Sequence, residues 1–455
     1  MWRRLRFPLL YSILLLCVAC TPVVGIPPTR ELVPTSEVAA GQSAPAIAAS
    51  ATRLPTVTTV PASPTTAPPT ATTTPEPFPT VVATGTPQPS PTTAPPLVLD
   101  PALAAELQRI LDETVADGHI PGAVLSVSMP GYEPWNGASG LADPADQQPM
   151  ETTTRVRIAS ISKIFTAVVV LQLVEEARIE LDAPVATWLP GLLPAGEQIT
   201  VRQLLQHTSG IYDYLEDYAF REQAYQTPDR SWTPAELVAY AVSFAPLFSP
   251  GAAGAWDYSS TNYVILGMLV EQVTGRSLAD EMRWRIFDPL ALEGTFFQPD
   301  EAVQGYQAAG FSEERNLTNA PMSFAFATAN LVSTADDVRR FALALFSGEL
   351  LQPATMEMML TFVGGHGSYN MPELAYGLGL MRNRLPVDPG PDGQPRPPAA
   401  STVFGHTGGY AGFRSVVWHA PDGGITIALG LNQSATDPNT LATRVLNAIL
   451  AHQGR

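Results

Sequence analysis

Arg157-Ile158-Ala159-Ser160-Ile161-Ser162-Lys163-Ile164-Phe165-Thr166-Ala167 is the segment from which the fold and the chemistry of this chain are read. From Ile164 to Ala177 the residues are apolar on nearly every side of a helix, the pattern of a helix buried all round. Ser160 and Lys163 stand three residues apart at its start, about one turn along the same face. The first turn of a helix carries unpaired backbone N–H groups and the positive end of the dipole, so it favours negative charge. A serine hydroxyl is a weak nucleophile until a neighbour accepts its proton, and a partly desolvated lysine is able to do that. Ser-x-x-Lys alone is expected about once or twice by chance in a chain of this length and ordinary composition. Here it carries more weight, because Lys163 is the only lysine among the 25 Lys and Arg residues. Wherever a fixed positive charge suffices the chain uses arginine, which cannot give up its proton, and the one exception stands where a titratable amine is needed.

Working outward, residues 97–455 have globular proportions of apolar, aromatic and glycine residues, enough for one substantial core. Leu103, Leu107, Ile110, Leu111 and Val115 have helical spacing and predict a helix over 100–116, and 123–129 reads as a short apolar strand. Further helices are expected over 201–206, 234–244, 262–273 and 335–346, the last with Thr334 as N-cap and Asp337 in its first turn. Strands return over 414–419 and 425–431 around the turn Pro421-Asp422-Gly423-Gly424, and a helix over 439–452 closes the chain. Strands at both ends with helices between predict a mixed α/β layer interrupted by a helical region.

The first 96 residues differ in kind. Met1 to Cys20 has a basic start (Arg3, Arg4, Arg6), an apolar run from Phe7 to Ala19, and Cys20 behind a small residue, the layout of an export signal. The apolar run falls short of the roughly 20 residues a spanning helix needs. Val18-Ala19-Cys20 resembles the end of a bacterial lipobox, with Cys17 in place of its usual leucine, so Cys20 is expected to be lipidated, an ordinary cleaved signal or an uncleaved anchor being the alternatives. Residues 21–96 are rich in Pro, Thr, Ala and Ser, with runs such as Pro64-Thr65-Thr66-Ala67-Pro68-Pro69, and read as a disordered linker. The expected location is the bacterial cell envelope, outside the cytoplasm, with the domain tethered to a membrane through its N-terminal lipid.

The segment around Ser160 is similar to the active-site segment of the β-lactamase-related serine hydrolases, which include class C β-lactamases, D-alanyl-D-alanine carboxypeptidases, D-aminopeptidases and esterases. Leu204-Leu205-Gln206-His207-Thr208-Ser209-Gly210-Ile211, Tyr258-Ser259-Ser260-Thr261-Asn262-Tyr263 and Gly405-His406-Thr407-Gly408-Gly409 resemble further segments of that family, in the family's order. The resemblance covers essentially residues 97–455. It implies an antiparallel sheet flanked by helices, with an inserted all-helical region at about 155–345. It also implies hydrolysis of ester, amide or β-lactam acyl bonds through an acyl-enzyme on Ser160, with Lys163 and Tyr258 moving protons. A tyrosine of ordinary pKa, about 10, is no base at neutral pH, so Lys163 is expected to lower that of Tyr258.

The family's Tyr-x-Asn has Ser260 in its third position here, and its Lys-Thr-Gly reads His406-Thr407-Gly408. By resemblance these residues contact substrate, and the backbone N–H groups of Ser160 and Gly409 hold the oxyanion. A neutral imidazole grips a carboxylate less well than an ammonium does, which favours an esterase or D-amino-acid peptidase over an efficient β-lactamase. If His406 must be cationic to hold a carboxylate, activity on anionic substrates is expected to improve as pH falls from about 7.5 to about 6. A class C-like β-lactamase is an alternative reading. A catalytically degraded cell-wall binding or sensor module is another, for which Ser260 leaves room.

The remaining observations narrow the field. A net charge of −17 argues against nucleic acid as a partner, and the expected partners are a small acyl compound or a peptidoglycan-type peptide. Both cysteines, Cys17 and Cys20, precede the globular part, which excludes disulfides, a thiol nucleophile and cysteine-bound zinc there. The histidines show no metal-ligand spacing, and neither metal nor cofactor is expected. His207 with Asp213 invites a triad, but His207-Thr208-Ser209-Gly210 reads as a turn that caps a helix. Asn262 is assigned to the following helix and Asp257 to a solvated loop.

Overall fold

The computed structural model describes residues 95–454, apart from positions 366, 368 and 370. The export signal, Cys20 and all but the last two positions of the expected linker lie outside the described residues. Eight strands form one antiparallel sheet: β1 (Gly122–Ser128), β2 (Trp135–Asp143), β3 (Gln148–Pro149), β4 (Ala375–Tyr376), β5 (Met381–Arg384), β6 (Thr402–Tyr410), β7 (Phe413–Ala420) and β8 (Ile425–Leu431). The helices packed around it include α1 (Pro101–Asp117), α2 (Ser162–Glu175), α3 (Val201–Gln206), α4 (Ser260–Thr274), α5 (Phe326–Ala329), α6 (Ala335–Ser347) and α7 (Pro438–His452). This is the α/β architecture expected, an antiparallel sheet flanked by helices with a helical region inserted between its strands.

Across the sheet the order is β3-β2-β1-β8-β7-β6-β5-β4. The first and last strands of the globular part therefore meet at its centre, where Ala123 pairs with Leu431 and Ser128 with Thr426. Every residue of β1 and β8 is buried, including Ser126 and Ser128 of β1 and Thr426 of β8. Leu125, Val127, Ile427 and Leu429 face a core shared with α1 and α7. Val124 and Ala428 point the other way, into the larger core built around α2. The period of two thus sorts neighbouring residues onto opposite faces of the sheet.

Local chemistry sets the helix ends. Asp100 accepts from Ala102 N at 2.8 Å and Pro101 opens α1. Thr200 and Gln203 form a reciprocal capping box at α3. Thr334 Oγ1 accepts from Asp337 N at 3.1 Å, so the expected cap of α6 is present. This helix packs on β1, β7 and β8, and Arg339 Nε donates to Ser126 Oγ at 3.0 Å. α6 thus lies against the sheet itself. No helix of the described residues is long and apolar enough to cross a membrane.

Candidate active site

The short strand Val156–Arg157 pairs with Leu331–Ser333 and delivers the chain into a tight turn, Ala159–Ile161, directly before α2. Ala159 is held at φ +48°, a left-handed conformation that costs a non-glycine residue energy and persists where surroundings over-determine it. The surroundings do so here. Ser162 Oγ donates to Ala159 O at 2.7 Å and accepts from Leu331 N at 3.2 Å. Ser415 Oγ on β7 donates to Ile158 O at 2.7 Å, which ties the turn to the sheet. Ser160 is left half-buried at the crest of this turn. The sequence offered no sign of the clamp by Ser162, whose hydroxyl looks like any other near a helix start.

Lys163 is fully buried, and its Nζ donates to Ser160 Oγ at 3.1 Å and to Thr328 O of α5 at 3.1 Å. It lies 4.9 Å from the centre of the Tyr258 ring and 5.7 Å from that of Tyr263. Burial makes the ammonium costly and pushes its pKa down to about 7, while the nearby carboxylates of Asp213 and Glu216 pull the other way. The amine is thus poised to exchange a proton near neutral pH.

Tyr258 corrects one expectation. Its ring is packed among aromatic groups, 4.2 Å from His207 and 6.0 Å from Tyr376 between centres, and burial pushes its pKa well above the ordinary value. Lys163 faces the ring and does not lower it, so Tyr258 stays a phenol and is available as a proton donor. Its hydroxyl lies beside Ser160 and completes no hydrogen bond with a described residue.

His207 is a scaffold residue, as its turn predicted. It ends α3 at φ +61°, and its Nδ1 accepts from Ser259 N at 3.1 Å, which leaves the ring proton on Nε2. Gly210 must be glycine here: at φ +75°, an added Cβ would fall 2.1 Å from Phe248 O. No triad forms: Asp213 Oδ1 accepts from Leu215 N, and neither oxygen bonds His207 among the described residues. Asp213 is nonetheless buried and acts on Lys163 through its charge, a link that the sequence did not reveal. Asn262 sits within α4 and accepts from Ser209 Oγ at 2.7 Å, and Asp257 is exposed on its loop.

β5 pairs with β6 only as far as Gly405. From His406 to Tyr410 the outer edge of β6 has no strand partner among the described residues. Gly408 lets this edge approach the Ser160 turn, since a Cβ there would fall 2.5 Å from Ile158 O and 3.1 Å from Ala159 Cβ. His406 is the second correction. It is fully buried, donates from Nδ1 to Thr407 O, and accepts at Nε2 from the Tyr376 hydroxyl at 2.9 Å. Burial and the charge of Lys163 push its pKa down to about 3, so it does not titrate between pH 6 and 7.5 and offers no cation to a carboxylate. Ser160, Tyr258, Ser260, His406, Thr407, Gly408 and Gly409 all line one groove of about 450 Å³, with Lys163 beneath its floor. Among the described residues no cluster of His, Cys, Asp and Glu has the makings of a metal site.

Comparison with known proteins bears on the family and the fold. The profile of the Beta-lactamase family matches residues 107–451. Esterase EstB of Burkholderia gladioli is 34% identical over 206 residues, which is 43% of this chain and 52% of the esterase. The chain spans about half the length of the first curated relatives it matches. A D-stereospecific amidohydrolase from Streptomyces sp. superposes with a TM-score of 0.64 at 36% identity, covering 74% of this chain and 97% of that one. The D-amino acid amidase of Ochrobactrum anthropi SV3 does so with a TM-score of 0.68 at 29% identity, covering 77% and 99%. With a shared fold, a profile match over most of its length and the Ser160–Lys163 turn on the edge of the sheet, this chain belongs to the beta-lactamase family.

Proposed function

We propose that the protein is a serine hydrolase that cleaves ester or amide bonds, with amides and esters of D-amino acids as its preferred substrate class. The observation that carries this reading is the buried Lys163 amine 3.1 Å from Ser160 Oγ, at the floor of a groove along an open strand edge. Lys163 takes the Ser160 proton as Oγ bonds to the substrate carbonyl carbon. The N–H groups of Ser160 and Gly409 receive the oxyanion, an arrangement commonly worth about 3 kcal/mol of barrier per donor. Tyr258 gives its proton to the leaving group as the acyl bond breaks, and the Lys163 ammonium restores that proton. Water then attacks the acyl-enzyme with Lys163 again accepting a proton, and Ser160 is regenerated.

The similarity to a D-amino acid amidase and a D-stereospecific amidohydrolase supports the substrate class. The test is a fluorophosphonate adduct mapped by mass spectrometry, together with turnover of 4-nitrophenyl esters, D-amino-acid amides and a chromogenic cephalosporin. One adduct per chain on Ser160, with the ester and amide cleaved faster than the cephalosporin, is expected. Absence of both adduct and turnover leaves a binding module instead. The proposal also places the domain outside the cytoplasm on a lipidated Cys20, supported by the signal-like sequence of residues 1–20. Incorporation of an alkyne fatty acid that persists in Cys20→Ser would refute that tether.

A further inference from the structure

β7 runs beside β6 with Gly409 directly opposite Arg414. The two residues share a face of the sheet, and because Gly409 has no side chain the guanidinium lies across it. A Cβ on Gly409 would fall 2.3 Å from Arg414 Nη1 and 3.1 Å from its Cζ. Arg414 is exposed in the same groove as Ser160, and its Nε donates to Ser434 O at 2.8 Å, which sets its direction. Its remaining N–H groups meet no carboxylate among the described residues.

The other cations of the groove are committed elsewhere. Arg315 is held by Glu222 at 2.7 and 2.8 Å. Arg221 turns back to the Leu215 carbonyl, Lys163 lies beneath the floor, and His406 is locked to Tyr376. A guanidinium offers paired donors to a carboxylate, and it keeps its charge at every working pH.

We propose that Arg414 is a specificity residue that binds an anionic group, a carboxylate by preference, on a substrate lying along the open edge of β6. This inference rests on the serine hydrolase reading above. It moves carboxylate recognition from the third motif of the chain to the neighbouring strand, reached across Gly409. A carboxylate a few atoms from the scissile carbonyl meets Arg414 while the carbonyl oxygen points at the Gly409 N–H.

The experiment compares matched 4-nitrophenyl esters, butyrate against the glutarate monoester, and phenyl acetates with and without a carboxylate on the leaving ring. In the full chain the ratio of kcat/KM for the anionic to the neutral member is measured, then again in Arg414→Gln and Arg414→Lys. A charge-assisted pair of this kind is worth roughly 10- to 100-fold in that ratio. Arg414→Gln should lose this preference in at least one matched pair, and Arg414→Lys, which keeps the charge without the fork, should keep part of it. A wild-type enzyme that cleaves these esters with both ratios untouched in Arg414→Gln would overturn the role of Arg414 alone. Absence of turnover on every ester in the wild type would overturn the hydrolase reading itself.

Discussion

Lys163→Arg is expected to lower kcat/KM by about 10²- to 10⁴-fold, the range for loss of a general base, although positive charge is retained. The reasoning is specific to this site. The amine at position 163 is surrounded by protein and has two oxygen partners, Ser160 Oγ and Thr328 O. In the proposed mechanism the amine takes a proton from Ser160, which a guanidinium cannot do. The longer side chain must also fit a turn where Ala159, Ser162 and Leu331 are already in contact. The measurement is steady-state hydrolysis of a 4-nitrophenyl ester, with a thermal melt to confirm folding. A folded Lys163→Arg protein within threefold of the wild-type rate would remove lysine from the proton path.

The pH profile is the second large effect. Because burial holds Lys163 near a pKa of about 7, kcat/KM should fall tenfold per pH unit below that value and level off above it. Two groups beside the amine do not supply this limb. His406 is neutral throughout, its pKa being pushed down to about 3, and Tyr258 remains a phenol. Asp213, also buried, is pushed up to about 6 and interacts with Lys163, so the limb belongs to the pair rather than to either group. Removing the negative charge with Asp213→Asn takes away support for the ammonium and should move the limb to lower pH. A limb that stays in place or moves upward contradicts the assignment. The sign for stability follows the same shift. Lys163 has a folded pKa below its unfolded value of 10.5, so the unfolded chain binds the proton more readily. The buried amine therefore weakens the fold most at pH values below about 7, and this penalty fades as pH rises toward 10.5.

How legible these features were depended on how local their causes are. The limits of α3 and β8 match their residue patterns to the residue, because a capping box and a largely apolar run after a Gly-Gly turn are local signals. β2 went unread: Trp135-Asn136-Gly137-Ala138-Ser139-Gly140-Leu141-Ala142-Asp143 contains two glycines and few apolar residues, and it becomes a strand by pairing with β1. α6 was found, but its membership in the sheet layer was not, because an amphipathic stripe does not say which surface it covers.

The sequence by itself determined a serine and the chain's single lysine one turn apart, and resemblance to a family added a tyrosine and a glycine-rich segment later in the chain. It determined these because reactive type and short-range spacing are written residue by residue. Only the tertiary structure decided their states. Burial holds the Tyr258 hydroxyl protonated and His406 neutral, with His406 tied to Tyr376, and Arg414 reaches the groove across Gly409. Protonation is governed by how much water and charge surround a group, and both come from segments as far apart as Lys163 and Thr328 in the chain.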